Sequence, residues 1–475
     1  MIHSSSLKTL ANQLHGQLTM PEAASLVVTG MSIDSRSIKR GELFVAIKGP
    51  RFDGHDYLQQ AKRAGAVAAV VDRTVDIPEL PQIVVTDTFK ALGALGAMNR
   101  LAFTGVVLAV TGSCGKTSVK TMLASVMAES VYTFATEGNL NNGYGVPLTL
   151  FQIKAAHGAA VIELGTSSPG EIAYIAGLTK PDVAMITNAA EAHLDGLKSV
   201  AGVAHEKGFI LDALSGTGVA ILNRDDAFYS EWHDRVHQVA GRKSLTFSMD
   251  SPDADCYASR IGSSDNGMRF DLHLGGECRP VSLAFWGRHQ VANACCVAVA
   301  AFSAGLGLDS IVRGLESARP YQRRGQRYVL SGKSDKGSGA KEIVVFDETY
   351  NANPRATLAA IDQLSECSGK RIMVFGDMLE LGAVSSTKHQ EIGSYAKQQG
   401  VDYFAGFGVQ ARLACEAFGK KGRHFESKAA LSDWVDSLTG EAPGKRVSVL
   451  VKGSKGMEML DVVRSLVGPE YEGER

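Results

Sequence analysis

The sequence predicts an α/β fold in three domains, and three observations carry that reading. From residue 106 onward, short and nearly unbroken apolar runs alternate with helical patterns; a second set of the same kind begins at residue 343; and 51 glycines against 13 prolines supply many tight strand-to-helix turns. Apolar runs without polar alternation mark strands covered on both faces, the condition of a parallel sheet flanked by helices. Strand, helix and strand in succession form the βαβ unit that sets the class.

Taken in order, residues 1–103 carry their own short α/β pattern, with strands expected at 43–47 and 67–71. In residues 104–320, strands are expected at 106–110, 160–164, 183–187 and 219–223, with helices at 118–130 and 200–213. In residues 321–475 the expected strands are 343–346, 372–375, 403–407 and 447–451. The segment RPYQRRG at 319–325 reads as an inter-domain joint, and the polar, glycine-rich stretch 331–341 as a surface hairpin or loop. At roughly 150 residues per domain, 475 residues accommodate three domains.

Bulk composition narrows the function. Formal net charge is -1, with 45% hydrophobic and 21% charged residues, so no whole-molecule field draws the chain to nucleic acid or an anionic membrane. No apolar run approaches the ~20 residues that span a bilayer, and the opening MIHSSSLKTL lacks the apolar core of a secretory signal. The seven cysteines are odd in number, scattered and without CxxC spacing, which argues against a disulfide framework or zinc site and for a reducing compartment. The expected setting is the cytoplasm, the expected state a monomer, and the expected partners small molecules chosen by local pockets.

The strongest chemical signal is Thr111-Gly112-Ser113-Cys114-Gly115-Lys116-Thr117, set between the strand at 106–110 and a helix entered at Ser118. Glycines let backbone N–H groups turn inward on phosphates. Lys116 adds a point charge at the β/γ oxygens, Thr117 offers a hydroxyl to Mg²⁺, and the helix N-terminus contributes its positive end. The strict Walker A pattern has glycine where Val110 stands, so this is the shorter TGxxGKT form. A chance glycine-rich turn is the plain alternative; the strand–loop–helix context favours nucleotide binding.

Acidic and imidazole groups follow just past strand ends, where ligands sit in open α/β sheets. Glu163 ends one expected strand and His193 follows another. A hard cation takes oxygen ligands and keeps several waters, so Glu163 suits Mg²⁺ well and His193 less well. Singly, Glu163 could equally cap a helix or sit in a turn, and His193 could be a satisfied polar group. Together with the loop they read as a metal–phosphate cluster. Lys207 falls on the expected helix 200–213, where spacing alone leaves it on a solvated face.

At this point further strings join the loop: Asp34-Ser35-Arg36, GELFVA at 41–46 and DGH at 53–55; GNLNN at 138–142, GVPLT at 145–149, ELG at 163–165, PGEI at 169–172 and NAA at 188–190; TYNANP at 349–354 and GDMLELG at 376–382. The chain resembles the Mur ligases, ATP-dependent amide-forming enzymes of peptidoglycan precursor synthesis. TYNANP and GDMxELG resemble the branch that joins D-alanyl-D-alanine to UDP-N-acetylmuramoyl-tripeptide. The resemblance implies a UDP-sugar domain, a central P-loop ATPase with a mostly parallel sheet, and a C-terminal Rossmann-like domain that brings the amino substrate. It also implies the chemistry, in which ATP phosphorylates the terminal carboxylate of the tripeptide and the dipeptide amine then displaces phosphate.

Residue roles carry over from the resemblance one at a time. Lys116 and the loop amides would hold the β- and γ-phosphates, Thr117 and Glu163 one Mg²⁺, and His193 a second, with Glu163 bridging. Lys207 matches the lysine that the family carbamylates; a free lysine repels Mg²⁺, whereas its carbamate is an anionic oxygen donor. Asn293 matches a nucleotide-contacting asparagine, while Gln290 stands where the family usually has Asn. Arg324 best matches the arginine aimed at the γ-phosphate; Arg323 stands at a common family glycine, which makes Arg327 the alternate. Asp347, Asn351 and Asn353 would face the ribose and purine, and Glu348 replaces a more usual Asp. Ser35 and Arg36 are candidates for the uridine diphosphate, or else a capped helix start. Two rivals stay open: a sister ligase (the one adding the third residue, or a folylpolyglutamate-type enzyme) and a regulatory P-loop NTPase that forms no bond.

Overall fold

The computed structural model describes residues 2, 4–49, 52–264, 266–332, 341–440, 446–468 and 471. The fold is α/β and mostly parallel. Its three main sheets follow one another along the chain: five strands between Gln17–Leu18 and Gln82–Val84, nine between Val106–Thr111 and Glu277–Leu283, and six between Gln326–Gly332 and Val447–Lys452, with a small pair Ser5–Ser6 and Val27–Val28 besides, among the described residues.

The central sheet positions the site. Its order is Glu277–Leu283, Gly267–Leu274, Cys256–Ser264, Lys243–Ser248, Val219–Asn223, Val183–Ile186, Val106–Thr111, Ala159–Glu163, Thr133–Ala135. Leaving Val106–Thr111, the chain builds Thr133–Ala135 and Ala159–Glu163 on one side, then crosses to Val183–Ile186 and Val219–Asn223 on the other. That reversal opens a crevice at the carboxyl end of Val106–Thr111, the place where doubly wound sheets bind ligands. The strand itself is pinned from both faces by the two-residue period of its side chains. Leu108 and Val110 join one buried cluster with Val119, Met122 and Leu123 of the following helix, whereas Val107 and Ala109 join the opposite one with Ile172, Ile175 and Val203. Each fully buried side chain of this size contributes ~1.5–3 kcal/mol.

Two features depart from the expected elements. The helix after the glycine-rich loop is Lys116–Ala128 and begins directly at the lysine. The strands Cys256–Ser264, Gly267–Leu274 and Glu277–Leu283 form an antiparallel ribbon on the sheet edge, which the sequence reading left unassigned. Their exposed face alternates polar residues with core ones, so no continuous apolar run marks them. The expected hairpin at 331–341 is flanked by antiparallel Gln326–Gly332 and Lys341–Glu348, paired as far as Gly332 and Lys341; its tip, residues 333–340, lies outside the described residues.

The first and central units are tied by polar contacts from helix Thr88–Leu101. Asn99 Nδ2 donates to Leu150 O, Phe151 O and Ile153 O, and Arg100 donates to Thr179 O and Lys180 O. No helix among the described residues is long and apolar enough to cross a membrane.

Candidate active site

The loop after Val106–Thr111 owes its shape to two glycines. Gly112 (φ 152°) and Gly115 (φ 85°) hold backbone that L side chains rarely adopt; a Cβ at Gly115 would stand 2.5 Å from Asn293 Oδ1, and one at Gly112 would collide with Thr187 Oγ1. Gly115 is the N-cap of helix Lys116–Ala128 and offers no capping side chain, so the helix end keeps free N–H groups and its positive pole. From behind, the segment after Val183–Ile186 props the loop. Ser113 N donates to Asn188 O and Cys114 N to Asn188 Oδ1 at 3.0 Å each, and Thr187 Oγ1 donates to Cys114 O at 2.6 Å.

Two lysines, Lys116 and Lys120, lie beside the buried carboxylate of Glu163, and a third, Lys207, lies beside Lys116 and Glu206. Lys116 Nζ donates to Gly112 O at 2.6 Å, Lys120 Nζ donates to Thr136 O at 2.8 Å and lies 4.0 Å from Glu163, and Lys207 is 2% exposed. Burial pushes all three amines below the ordinary lysine range, Lys207 well below it with Lys116 adding repulsion. Glu163 ends strand Ala159–Glu163, and its oxygens accept from Thr117 Oγ1 and Asn141 Nδ2 at 2.8 Å each. Burying an ion costs several kcal/mol unless it is paired. One carboxylate does not offset the Lys116 and Lys120 ammonium groups beside it, so the arrangement fits an anion of high charge.

His193 sits past Val183–Ile186 in a left-handed conformation (φ 54°), and its Nδ1 lies 2.7 Å from Glu380 Oε2 of the third domain. Burial first, then the Lys116 ammonium, hold its imidazole below the usual histidine range.

A single cavity of about 800 Å³ brings most of the expected residues together. Ser113, Cys114, Gly115, Lys116 and Ser118 line it, with Glu163, His193 and Asn293; Arg324, Asn351 and Asn353 face it from the third domain. Thr111, Gly112, Thr117 and Lys207 are buried behind that lining. The domains touch at the loop itself, where Cys114 Sγ and the Asn353 side chain are 3.3 Å apart. Asn353 is also the N-cap of helix Pro354–Ser365 and accepts from Ala356 N.

The two candidate arginines separate cleanly. Arg324 stacks its guanidinium 3.8 Å from the Tyr350 ring centre, and its buried Nε has no hydrogen-bond partner among the described residues. Arg327 lies over Trp286 at 5.1 Å, pairs with Glu342 at 3.4 Å and does not line the cavity. Arg323 has φ 64°, the backbone that the family's usual glycine accommodates without strain.

Asp347 is placed differently from the expectation. It is fully buried, and its Oδ1 accepts from Thr349 N (3.0 Å) and Thr349 Oγ1 (2.6 Å), while the adjacent Glu348 lines the cavity with Lys452 Nζ at 3.3 Å. Successive strand residues face opposite ways, so at the end of Lys341–Glu348 only one of the two acids can reach the cavity. Burial raises the Asp347 carboxyl above its ordinary pKa. Ser35 and Arg36 stand apart from the cavity, in a turn at 35–37 that starts no helix. Ser35 Oγ donates to Gln60 Oε1 at 3.1 Å, and Arg36 pairs with Asp34 at 2.7 Å, holding that carboxyl at about 2.

Sequence reasoning gave no role to Lys120, Asn141, Glu348, Glu380 or Lys452. Lys120 lies one helical turn beyond Lys116, a spacing that places both on one helix face. Asn141 and Glu380 fall inside GNLNN and GDMLELG, two strings that carried the resemblance.

Comparisons with known proteins show the family. The Mur ligase middle domain matches residues 110–301, the Mur ligase glutamate ligase domain residues 335–455, and the Mur ligase family catalytic domain residues 27–97. The UDP-N-acetylmuramoyl-tripeptide–D-alanyl-D-alanine ligase of Escherichia coli (strain K12) is 38% identical over 463 residues, covering 98% of each chain. The Bacillus subtilis (strain 168) protein of the same name is 31% identical over 474 residues, covering 97% of this chain and 98% of its own. A crystal structure of MurF from Acinetobacter baumannii superposes with a TM-score of 0.89 at 31% identity, covering 98% of this chain and 99% of that one. MurF ligase from Thermotoga maritima, solved in complex with ADP, gives 0.79 at 25% identity, covering 94% and 98%. By matched domains, full-length identity and shared architecture, this chain belongs to the Mur ligase family, on the branch of the UDP-N-acetylmuramoyl-tripeptide–D-alanyl-D-alanine ligases.

Proposed function

We propose that the chain is an ATP-dependent amide ligase that adds D-alanyl-D-alanine to UDP-N-acetylmuramoyl-tripeptide through an acyl phosphate. The observation that carries this reading is convergence: Lys116, Glu163 and His193 of one domain and Arg324, Asn351 and Asn353 of the next line one cavity. In the reaction a tripeptide carboxylate oxygen bonds to the γ-phosphorus of ATP as the bond to the β-phosphate oxygen breaks, releasing ADP. The dipeptide amine then attacks the acyl carbon, loses a proton, and phosphate leaves. Holding the acyl phosphate against the amine offsets roughly 7–11 kcal/mol of barrier, and a second domain closed over the cavity keeps water from the intermediate. Lys116 and the loop N–H groups hold the β- and γ-phosphates, and Arg324 meets the γ-phosphate. The domains divide near residues 103 and 320, and the third swings about 319–325.

The donors fit Mg²⁺ supplied with its nucleotide. Among the described residues no three His, Cys, Asp or Glu side chains group tightly enough to hold a metal. Mg²⁺ typically takes one or two protein oxygens, with phosphate oxygens and waters completing the shell. Thr117 and Glu163 would supply the oxygens, and His193 and a carbamylated Lys207 the remaining donors. When bound, Mg²⁺ neutralises charge on the transferring phosphoryl. Lys207 is prepared for carbamylation: its lowered pKa enlarges the neutral amine fraction, whose nitrogen bonds to dissolved CO₂ and releases a proton. Intact mass in bicarbonate should show the adduct; a bare amine in an active, bicarbonate-equilibrated sample would refute it.

The deciding assay follows phosphate and product together with UDP-N-acetylmuramoyl-tripeptide present. Phosphate release and amide product should both rise on adding D-alanyl-D-alanine. Release that ignores the dipeptide would instead favour the regulatory NTPase.

A further inference from the structure

The segment 189–195 carries His193, and the third domain grips it at successive points. Arg355 Nη1 donates to Ala189 O at 3.4 Å, Lys388 Nζ pairs with Glu191 at 3.3 Å, and Glu380 Oε2 lies 2.7 Å from His193 Nδ1. His193 and Glu380 are both non-glycine residues in left-handed backbone, with φ 54° and 65°. That conformation is uncommon and persists where the surroundings over-determine it, often where function needs a side chain aimed. Two such residues meeting side chain to side chain across a domain boundary is a specific arrangement. Glu380 is 61% exposed, so it contributes little to the core. Its defined contact is the imidazole.

We propose that Glu380 is a positioning residue that the third domain inserts against His193. By accepting a hydrogen bond from Nδ1–H it fixes the tautomer and ring orientation and leaves Nε2 as the nitrogen available to the phosphate–metal cluster. A carboxylate behind a metal-binding histidine acts in this way generally, and its loss typically costs 10–100-fold in metal affinity or activity. Here the carboxylate and the histidine come from different domains, so the metal site is completed by closure. Magnesium binding and domain closure then report on one contact. This inference rests on the nucleotide–Mg²⁺ reading above.

The test is binding of a non-hydrolysable ATP analogue, titrated with Mg²⁺, for wild type, Glu380→Gln, Glu380→Ala, Lys388→Ala, His193→Ala and the His193→Ala/Glu380→Ala double variant. Glu380→Ala should raise the Mg²⁺ concentration at half-saturation by about 10–100-fold, Glu380→Gln less, and Lys388→Ala hardly at all. Analogue binding without metal should be unchanged, and in the His193→Ala background Glu380→Ala should add nothing, as coupled residues require. The inference is overturned by an unchanged Mg²⁺ requirement in Glu380→Ala, by equal effects in both backgrounds, or by an equal effect of Lys388→Ala. Failure of the parent reading shows separately in the wild type, as nucleotide binding indifferent to Mg²⁺ or no amide product, and removes both.

Discussion

Two strand ends face each other across the cavity, and they are chemically unlike. The carboxyl end of the central sheet supplies Lys116, with Lys120 and Lys207 buried nearby, two conformationally committed glycines and a helix N-terminus. The carboxyl end of the third sheet supplies Glu348, Tyr350, Asn351, Asn353 and Lys452, with Arg324 stacked on the Tyr350 ring. One side is built to meet concentrated negative charge; the other mixes single charged groups with amides and an aromatic ring. The difference teaches that most of the phosphate-binding charge lies in the central unit, while the third adds single charged groups such as Arg324 and Glu380 and meets the loop through contacts such as Cys114–Asn353 and His193–Glu380.

The largest effect should come from the charged side. Lys116→Ala should lower kcat on the order of 10³-fold, by analogy with removing one preorganised transition-state donor, read as phosphate release at saturating substrates. Its folding stability should not fall, because the ammonium is buried at a cost. A loss of the same size on substituting Asn351 would break the proposed division of labour. Next, Arg324→Ala should cost about 10–100-fold in kcat/KM, the value of one charged hydrogen-bonding group at ~1.5–3 kcal/mol. Arg327→Ala should leave kcat/KM nearly unchanged, since that side chain serves Trp286 and Glu342. The reverse order would assign the γ-phosphate to Arg327.

The smallest effect concerns Asp347 and appears in stability. Burial raises its carboxyl above the ordinary 3.8, so the stability its neutral form contributes is complete below about pH 3.8 and is lost as pH rises through the raised folded value. Asp347→Asn should therefore be slightly more stable than wild type at neutral pH in urea unfolding, by about 1 kcal/mol or less. The gap should close toward acid pH, with nucleotide affinity unchanged throughout. Weaker nucleotide binding by this variant would return Asp347 to the cavity.

Much of this was legible in the sequence because buried parallel strands announce themselves. The expected strands 219–223 and 403–407 coincide with Val219–Asn223 and Tyr403–Phe407, and the glycine-rich loop falls where its spacing placed it. Lys207 shows where periodicity stops informing. Helix Val200–Asp212 buries Glu206 and Lys207 together with Val203, Ile210 and Leu211, while Ala201, His205 and Asp212 form its exposed face, so charge alone does not tell which side Lys207 takes. Family resemblance marked that lysine; helical spacing did not. The choice between Asp347 and Glu348 is a matter of which way a strand end points, set by pairing with Val447–Lys452 rather than by residue type. The His193–Glu380 contact joins residues 187 positions apart on different domains, beyond the reach of any local pattern.

The central claim is that both strand ends act on one nucleotide. Amide hydrogen exchange with and without a non-hydrolysable ATP analogue and Mg²⁺ tests it directly. The account predicts that residues 111–118 and 348–356 slow together, with the same dependence on analogue concentration. Slowing confined to 111–118, with the third domain exchanging as before, would contradict it.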